Sequence, residues 1–337
     1  MTQSLPASYK AVVLKSYTGV SGLSVEERPM PKLKSGQVLV KVHASPINPS
    51  DTLFIQGEYG FKKPLPAVPG FEGSGVVVAS GGGFLANRLL GKPVICANQT
   101  EGDGVWAEYF VTSGLMAVPV QEGISLDQAA TALVNPLTAW AIMDMAKKGK
   151  HRAIVHTAAA SALGKMLVRL QARFGVKVIN VVRREEQVAM LKALGAEYVL
   201  NSTAPDFDEQ LKRVCDTYKT TLAFEAVTGE LTGRVLSALS HGGRVKVYGT
   251  LSLEDCKVNP NDLIFQRKVV EGFWMSDWIA ERNLIQTFLA FNSVQKFLKD
   301  ELQSTVRARY SLEQFAEAIA DYNANMTGGK VLIAPSS

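Results

Sequence analysis

Between residues 9 and 120 the apolar positions come in short runs, such as 10–14 and 37–42, broken by Gly and Pro turns. Runs of this length predict strands, and so an irregular, mostly β domain. From about Arg152 the rhythm changes to an apolar strand, a longer helical stretch and another strand, several times over. The predicted strands are 153–156, 176–182, 198–200, 222–226 and 244–248; of the helices between them, 185–194 stops before Gly195. Parallel neighbours need crossover connections, so repeated βα units predict a doubly wound parallel sheet of the Rossmann type. Beyond about Val269 the rhythm stops. Residues 274–299 read as helical from the spacing of Ile279, Leu284, Ile285, Phe288 and Leu289. An amphipathic helix over 312–322 then precedes Gly328, Gly329, Lys330 and a last strand over 331–334.

A chain of 337 residues exceeds the size at which one core keeps growing, so two domains are expected. The tail is expected to rejoin the first domain, giving an α/β chain in which residues 131–269 are inserted between 1–130 and 270–337. Three scattered cysteines, Cys96, Cys215 and Cys256, are odd in number and lack metal-type spacing, which predicts free thiols. No apolar stretch approaches a bilayer span, and residues 1–10 lack a basic segment followed by an apolar block. No membrane role and a cytoplasmic location follow as expectations. The formal charge of +5 is compatible with an anionic ligand or with a plain solvated surface, and no basic block with interleaved aromatics points to nucleic acid. His43, His151, His156 and His241 form no pair at metal-binding spacing, and no hydrolase triad is evident.

The first βα turn carries the candidate nucleotide site. Ala159, Ser161 and Gly164 stand at the three glycine positions of G-x-G-x-x-G, so only the last, helix-packing glycine is kept. Small residues there let backbone N–H groups approach a pyrophosphate at a helix N-terminus, which assigns Ala160, Ser161, Ala162, Leu163 and Gly164 to the cofactor. Taken alone, such a turn is more often plain packing than a cofactor site. The second predicted strand ends in Arg183 and Arg184, about twenty residues further on, where an NAD-selecting domain carries an acidic side chain. Two guanidinium groups match a 2′-phosphate instead, so NADPH is the expected cofactor. The alternative is a solvated pair opening the next helix.

Residues 68–76, Val-Pro-Gly-Phe-Glu-Gly-Ser-Gly-Val, resemble the Gly-His-Glu stretch that supplies a zinc ligand in alcohol-dehydrogenase-like chains, with Phe71 in place of the histidine. Asn48 and Asn135 stand at the other two ligand positions by the same resemblance. Zinc needs three donors from Cys, His or carboxylate, so no metal is expected.

Over essentially its full length the chain resembles the zinc-free branch of the medium-chain dehydrogenase/reductase superfamily. It is similar to enoyl-thioester reductases of the mitochondrial type at residues 45–51, 55–60, 65–68, 134–136, 180–183 and 272–278, and to NADPH:quinone oxidoreductases at 155–160 and 69–73. Its phosphate turn, Thr157-Ala158-Ala159-Ala160, is less polar than that of the enoyl reductases. The resemblance implies a Rossmann domain inserted in a GroES-like, mostly β domain, a homodimer, and hydride transfer to an activated C=C bond, first of a 2-enoyl thioester. A quinone is the alternative acceptor, and an NADPH-binding sensor or structural protein is the alternative of another class.

By the same resemblance Tyr59 hydrogen-bonds the thioester carbonyl or supplies a proton; the alternatives are a ring that only anchors the glycine-rich loop or walls a quinone pocket. Asn135 and Thr138 are implied to face the nicotinamide, and Tyr248, Gly249, Thr250 and Leu251 to lie under the cofactor. Phe273, Trp274 and Met275 are implied to wall nicotinamide and substrate, and Lys330 to contact the cofactor. Asn48, Phe71, Trp274 and Trp278 complete the expected substrate pocket. As residues alone, the aromatic trio also suits a core and the Asn-Pro pair a helix start.

Overall fold

The computed structural model describes residues 5–97 and 102–335, with the backbone alone at Leu284. The chain forms two compact units, Met1–Asn135 with Gln295–Ser337, and Pro136–Val294.

The first unit opens with β1 (Ser8–Leu14) and β2 (Leu23–Pro29), an antiparallel ribbon. There follow β3 (Gln37–Pro46), α1 (Pro49–Gln56), β4 (Glu72–Ser80), α2 (Phe84–Arg88), β5 (Pro93–Ala97), β6 (Tyr109–Ser113), β7 (Ala117–Pro119) and α3 (Leu126–Ala130). Helix α1 starts where Pro49 fixes the backbone behind a capping box of Asn48 and Asp51, and ends at Gly57 with φ +77°.

The second unit takes up α4 (Val134–Lys148) and then alternates: β8 (Ala153–His156), α5 (Ala162–Phe174), β9 (Lys177–Val182), α6 (Glu185–Ala193), β10 (Tyr198–Asn201), α7 (Phe207–Tyr218), β11 (Leu222–Glu225), α8 (Glu230–Ala238), β12 (Arg244–Val247), α9 (Pro260–Ile264), β13 (Val269–Gly272), α10 (Met275–Ala280) and α11 (Leu284–Phe297). All six strands are parallel, in the order β10-β9-β8-β11-β12-β13, which is the Rossmann order 3-2-1-4-5-6. Helix α5 shows how the pattern makes the layer: Leu163, Met166, Leu167 and Leu170, at helical spacing, are all buried.

The five predicted strands are present within a residue or two of their expected ends. The sixth, β13, was not expected. Its four residues are partly or fully exposed at the sheet edge, and only the short α9 precedes them, so neither an apolar run nor a crossover-length helix marks the strand. The return placed at 270 by sequence therefore falls inside β13, and the structure carries the second unit on to Val294. Residues 274–299, expected as one helix, are two. Asn283 and Gln286 form a reciprocal cap that restarts the chain as α11, with Gln286 N–H donating to Asn283 Oδ1 at 2.9 Å.

The chain returns to the first unit with β14 (Val306–Tyr310), α12 (Phe315–Ala324) and β15 (Lys330–Ile333). Strand β15 pairs antiparallel with β3, Leu332 opposite Pro46, so the tail joins the first domain's sheet, of order β14-β15-β3-β4-β5-β7 with β6 also on β3. Cys96 and Cys215 are buried and Cys256 is exposed, all as free thiols. No helix among the described residues is long and apolar enough to cross a membrane.

Candidate active site

In the second unit the carboxyl ends of the strands gather most of the residues read from sequence as cofactor contacts. After β8 the backbone turns at Ala158, with φ +49°, into the N-cap Ser161, whose hydroxyl accepts from Gly164 N–H at 3.2 Å. Gly164 is required by packing: a Cβ there would lie 2.1 Å from Ala159 O. Ala160 and Leu163 are buried, and Ser161 and Ala162 half-exposed at the mouth of α5, whose first N–H groups have no partner within the helix. Arg183 and Arg184 follow the neighbouring β9 and are exposed; Arg184 pairs with Glu186 at 2.8 Å. A small-residue turn, a thirteen-residue helix opening on it and two exposed guanidinium groups beside it fit a dinucleotide carrying a 2′-phosphate.

Beyond the switch point between β8 and β11, Tyr248, Gly249, Thr250 and Leu251 follow β12. Leu251 N–H donates to Ala226 O at 3.0 Å, and a Cβ on Gly249 would lie 3.0 Å from that same oxygen, so this glycine is constrained by the adjacent strand end. The Tyr248 hydroxyl is turned inward, 2.7 Å from His156 Nε2. Burial drops that imidazole to about 3, so it is neutral. Phe273 lies edge-on to Phe224, Trp274 is 38% exposed, and Met275 begins α10.

A buried carboxylate that sequence reading missed organises this edge. Glu225 Oε1 accepts from the Thr157 hydroxyl (3.1 Å) and Val227 N–H (2.7 Å), and Oε2 from Thr228 N–H (2.8 Å) and the Thr232 hydroxyl (3.2 Å). The phosphate turn and the loop after β11 thus share one anchor. Its signal was present: an acidic residue closing the otherwise apolar run Leu222-Ala-Phe-Glu225. Trp278, expected in the substrate pocket, is instead packed within this unit. It is 4% exposed, edge-on to Trp140, with the Arg282 guanidinium 3.2 Å from its ring centroid.

In the first unit a buried carboxylate, Glu72, lies next to the positions that resemble zinc-ligand sites. Asn48 is fully buried, and its Nδ2 donates to Glu72 Oε1 at 3.0 Å. Phe71 immediately precedes Glu72, and Asn135 follows Val134, whose N–H, with that of Leu133, binds Glu72 Oε2 at 2.9 and 2.8 Å. Lys330, expected on the cofactor, is 4% exposed and donates to Asn48 Oδ1. Its ammonium group lies among Asn48, Glu72 and Asp51, because β15 docks beside β3 just before α1. Asp51 accepts from Asn48 N–H (2.8 Å) and Phe71 N–H (3.0 Å). Burial, and next the like charge of Glu72, push Asp51 up to about 7 against those two N–H groups and Lys330. Burial also raises Glu72 and lowers Lys330, each opposed by the other's charge. An engaged amide, a phenyl ring and a second amide do not make a zinc donor set. Among the described residues no group of three His, Cys, Asp or Glu side chains could hold a metal.

Beside this centre Tyr59 is half-buried in an aromatic wall, its ring centroid 4.9 Å from that of Phe71 and 5.2 Å from that of Phe61. Asn135 is half-exposed and Thr138 buried in the first turns of α4.

Comparison with known proteins gives two partial family matches, the zinc-binding dehydrogenase family over residues 162–291 and the alcohol dehydrogenase GroES-like domain over 34–122. The chain is 35% identical over 251 residues to the mitochondrial enoyl-acyl-carrier-protein reductase of Homo sapiens, a match covering 73% of this chain and 66% of that protein. It thus spans a little under two thirds of that relative. The Caenorhabditis elegans protein of the same name is 36% identical over 254 residues, covering 73% and 71%. Among solved structures, a provisionally named NADPH:quinone reductase from Mesorhizobium loti superposes with a TM-score of 0.89 at 36% identity, covering 99% of this chain and 100% of that one.

Proposed function

Since the chain belongs to the medium-chain dehydrogenase/reductase superfamily and is an oxidoreductase, we propose that it is a zinc-independent, NADPH-dependent reductase of an electron-poor C=C bond, most specifically that of a 2-enoyl thioester. The observation that supports this reading is the chemistry at the three zinc-like positions, an Asn48 amide engaged by Glu72 and Lys330, a phenyl ring and a second amide, which favours a side-chain donor over a metal for the substrate carbonyl.

NADPH, when bound, supplies the hydride. Arg183 and Arg184 hold its 2′-phosphate by charge-assisted hydrogen bonds, and the turn ending at Ser161 receives the pyrophosphate. Tyr59 donates to the carbonyl oxygen of the substrate, where negative charge builds as the β-carbon is reduced. The surrounding rings of Phe61 and Phe71 limit the rotation of its side chain. Enoyl-thioester reduction is favoured by the relatives named for it and by the reading of Tyr59. Quinone reduction is the second reading, favoured by full-length similarity to the Mesorhizobium loti protein and by the alanine-rich phosphate turn.

The test is NADPH oxidation with crotonyl and longer enoyl thioesters beside simple quinones. Turnover of the thioesters, with kcat lowered about tenfold or more in Tyr59→Phe, is the expected result. Turnover of quinones alone reverses the order of the two readings, and tight NADPH binding with no acceptor reduced replaces both with a sensor.

A further inference from the structure

We propose that Tyr17 is a positioning residue for Tyr59, one side chain that pins the far end of the loop 57–63 and lies against its near end; this rests on the reading of Tyr59 as the carbonyl donor. Tyr17 lies in the segment after β1, remote in sequence from the loop. At the near end, where α1 stops, Gly57 passes so close that a Cβ on it would lie 3.0 Å from Tyr17 Cβ. At the far end the Tyr17 hydroxyl accepts from Lys63 N–H at 2.6 Å and donates to Lys63 O at 2.8 Å. A phenol has one proton and free lone pairs, so both bonds coexist, and together they hold the backbone of Lys63 on its donor and its acceptor side.

The pin is itself anchored. Its ring stands edge-on to buried Phe54 of α1, with centroids 5.8 Å apart and planes at 87°. Phe54 in turn lies 5.7 Å from Phe71, the ring against which Tyr59 packs. The Lys63 ammonium ties the same point to Gly102 O at 2.7 Å. Tyr59 therefore sits within a span bonded to Tyr17 at its far end, closely approached by Tyr17 at its near end, and packed on Phe61 and Phe71 between. An O–H donor acts only where it meets the developing charge, and displacements on the order of 1 Å cost up to ~100-fold in rate. The ends of the loop consequently govern the donor.

Tyr17→Phe removes both bonds to Lys63 and keeps the ring and its contact with Phe54. Amide hydrogen exchange across 57–63, followed on the protein without substrate, should accelerate in this variant while the rest of the first unit keeps its protection. Unchanged exchange overturns the pin. On an enoyl thioester, kcat should fall about tenfold with the Kd for NADPH unchanged, and adding Tyr17→Phe to Tyr59→Phe should cost nothing more. The same loss with and without the Tyr59 hydroxyl overturns the positioning role. Full activity of Tyr59→Phe alone overturns the reading of Tyr59, and the exchange experiment then still decides whether Tyr17 holds the loop.

Discussion

Two charged clusters, one in each unit, are handled in opposite ways. In the first, Asp51, Glu72 and Lys330 are buried and answer one another through the Asn48 side chain and four backbone N–H groups. In the second, Arg183 and Arg184 stand exposed at the end of β9. A buried charge costs free energy unless it is matched in place, so the first cluster serves the fold. An exposed guanidinium group costs the fold little and leaves donors for an anion, even where Arg184 shares its Nε with Glu186. A buried, matched cluster and an exposed cationic pair are therefore two separate uses of charged residues in one chain.

The contrast can be broken most forcefully at Lys330. Lys330→Met leaves two buried carboxylates without their cation and should destabilise the protein by about 3–5 kcal/mol, the usual cost of breaking a buried pair. Urea unfolding measures it, and adding Glu72→Gln should recover part of the loss. If the Kd for NADPH moves and the unfolding midpoint does not, Lys330 belongs to the cofactor and the contrast fails. The reciprocal change is Arg183→Ala with Arg184→Ala. Each charged hydrogen bond is worth about 1.5–3 kcal/mol, so the NADPH Kd should rise at least ~10-fold, with NADH binding and the unfolding midpoint unchanged. Equal losses for both cofactors would sink the 2′-phosphate role.

The smallest expected effect is a pH dependence. Asp51 titrates at about 7 in the folded protein and near 3.8 when exposed, so between these values the folded state binds the extra proton. Its contribution to stability is thus greatest below about pH 4, declines as the pH rises towards 7, and is level above that. Thermal midpoints of wild type and Asp51→Asn should show the advantage of the wild type shrinking over that window. Parallel curves would mean that Asp51 is not the titrating group.

Much of this was legible in the chain. The first five strands of the parallel sheet follow from apolar runs and their spacing, and Gly164 from its place in the turn. Glu225 carried a signal that went unread. The sixth strand carried none, since Val269–Gly272 has neither an apolar run nor a long helix before it.

By itself the sequence determined the doubly wound sheet, the two arginines after β9 and the presence of Asn48, Phe71 and Asn135, none of them a usual zinc ligand. Each of these depends on residue type and local spacing, which the linear chain records. Only the tertiary structure decided where Lys330 and Tyr17 act. Lys330 meets Asn48 across 282 positions because β15 pairs with β3, and the Tyr17 hydroxyl meets Lys63 across 46. Such meetings depend on strand register and loop closure, and hydrophobic periodicity does not encode which distant polar atoms those will bring together.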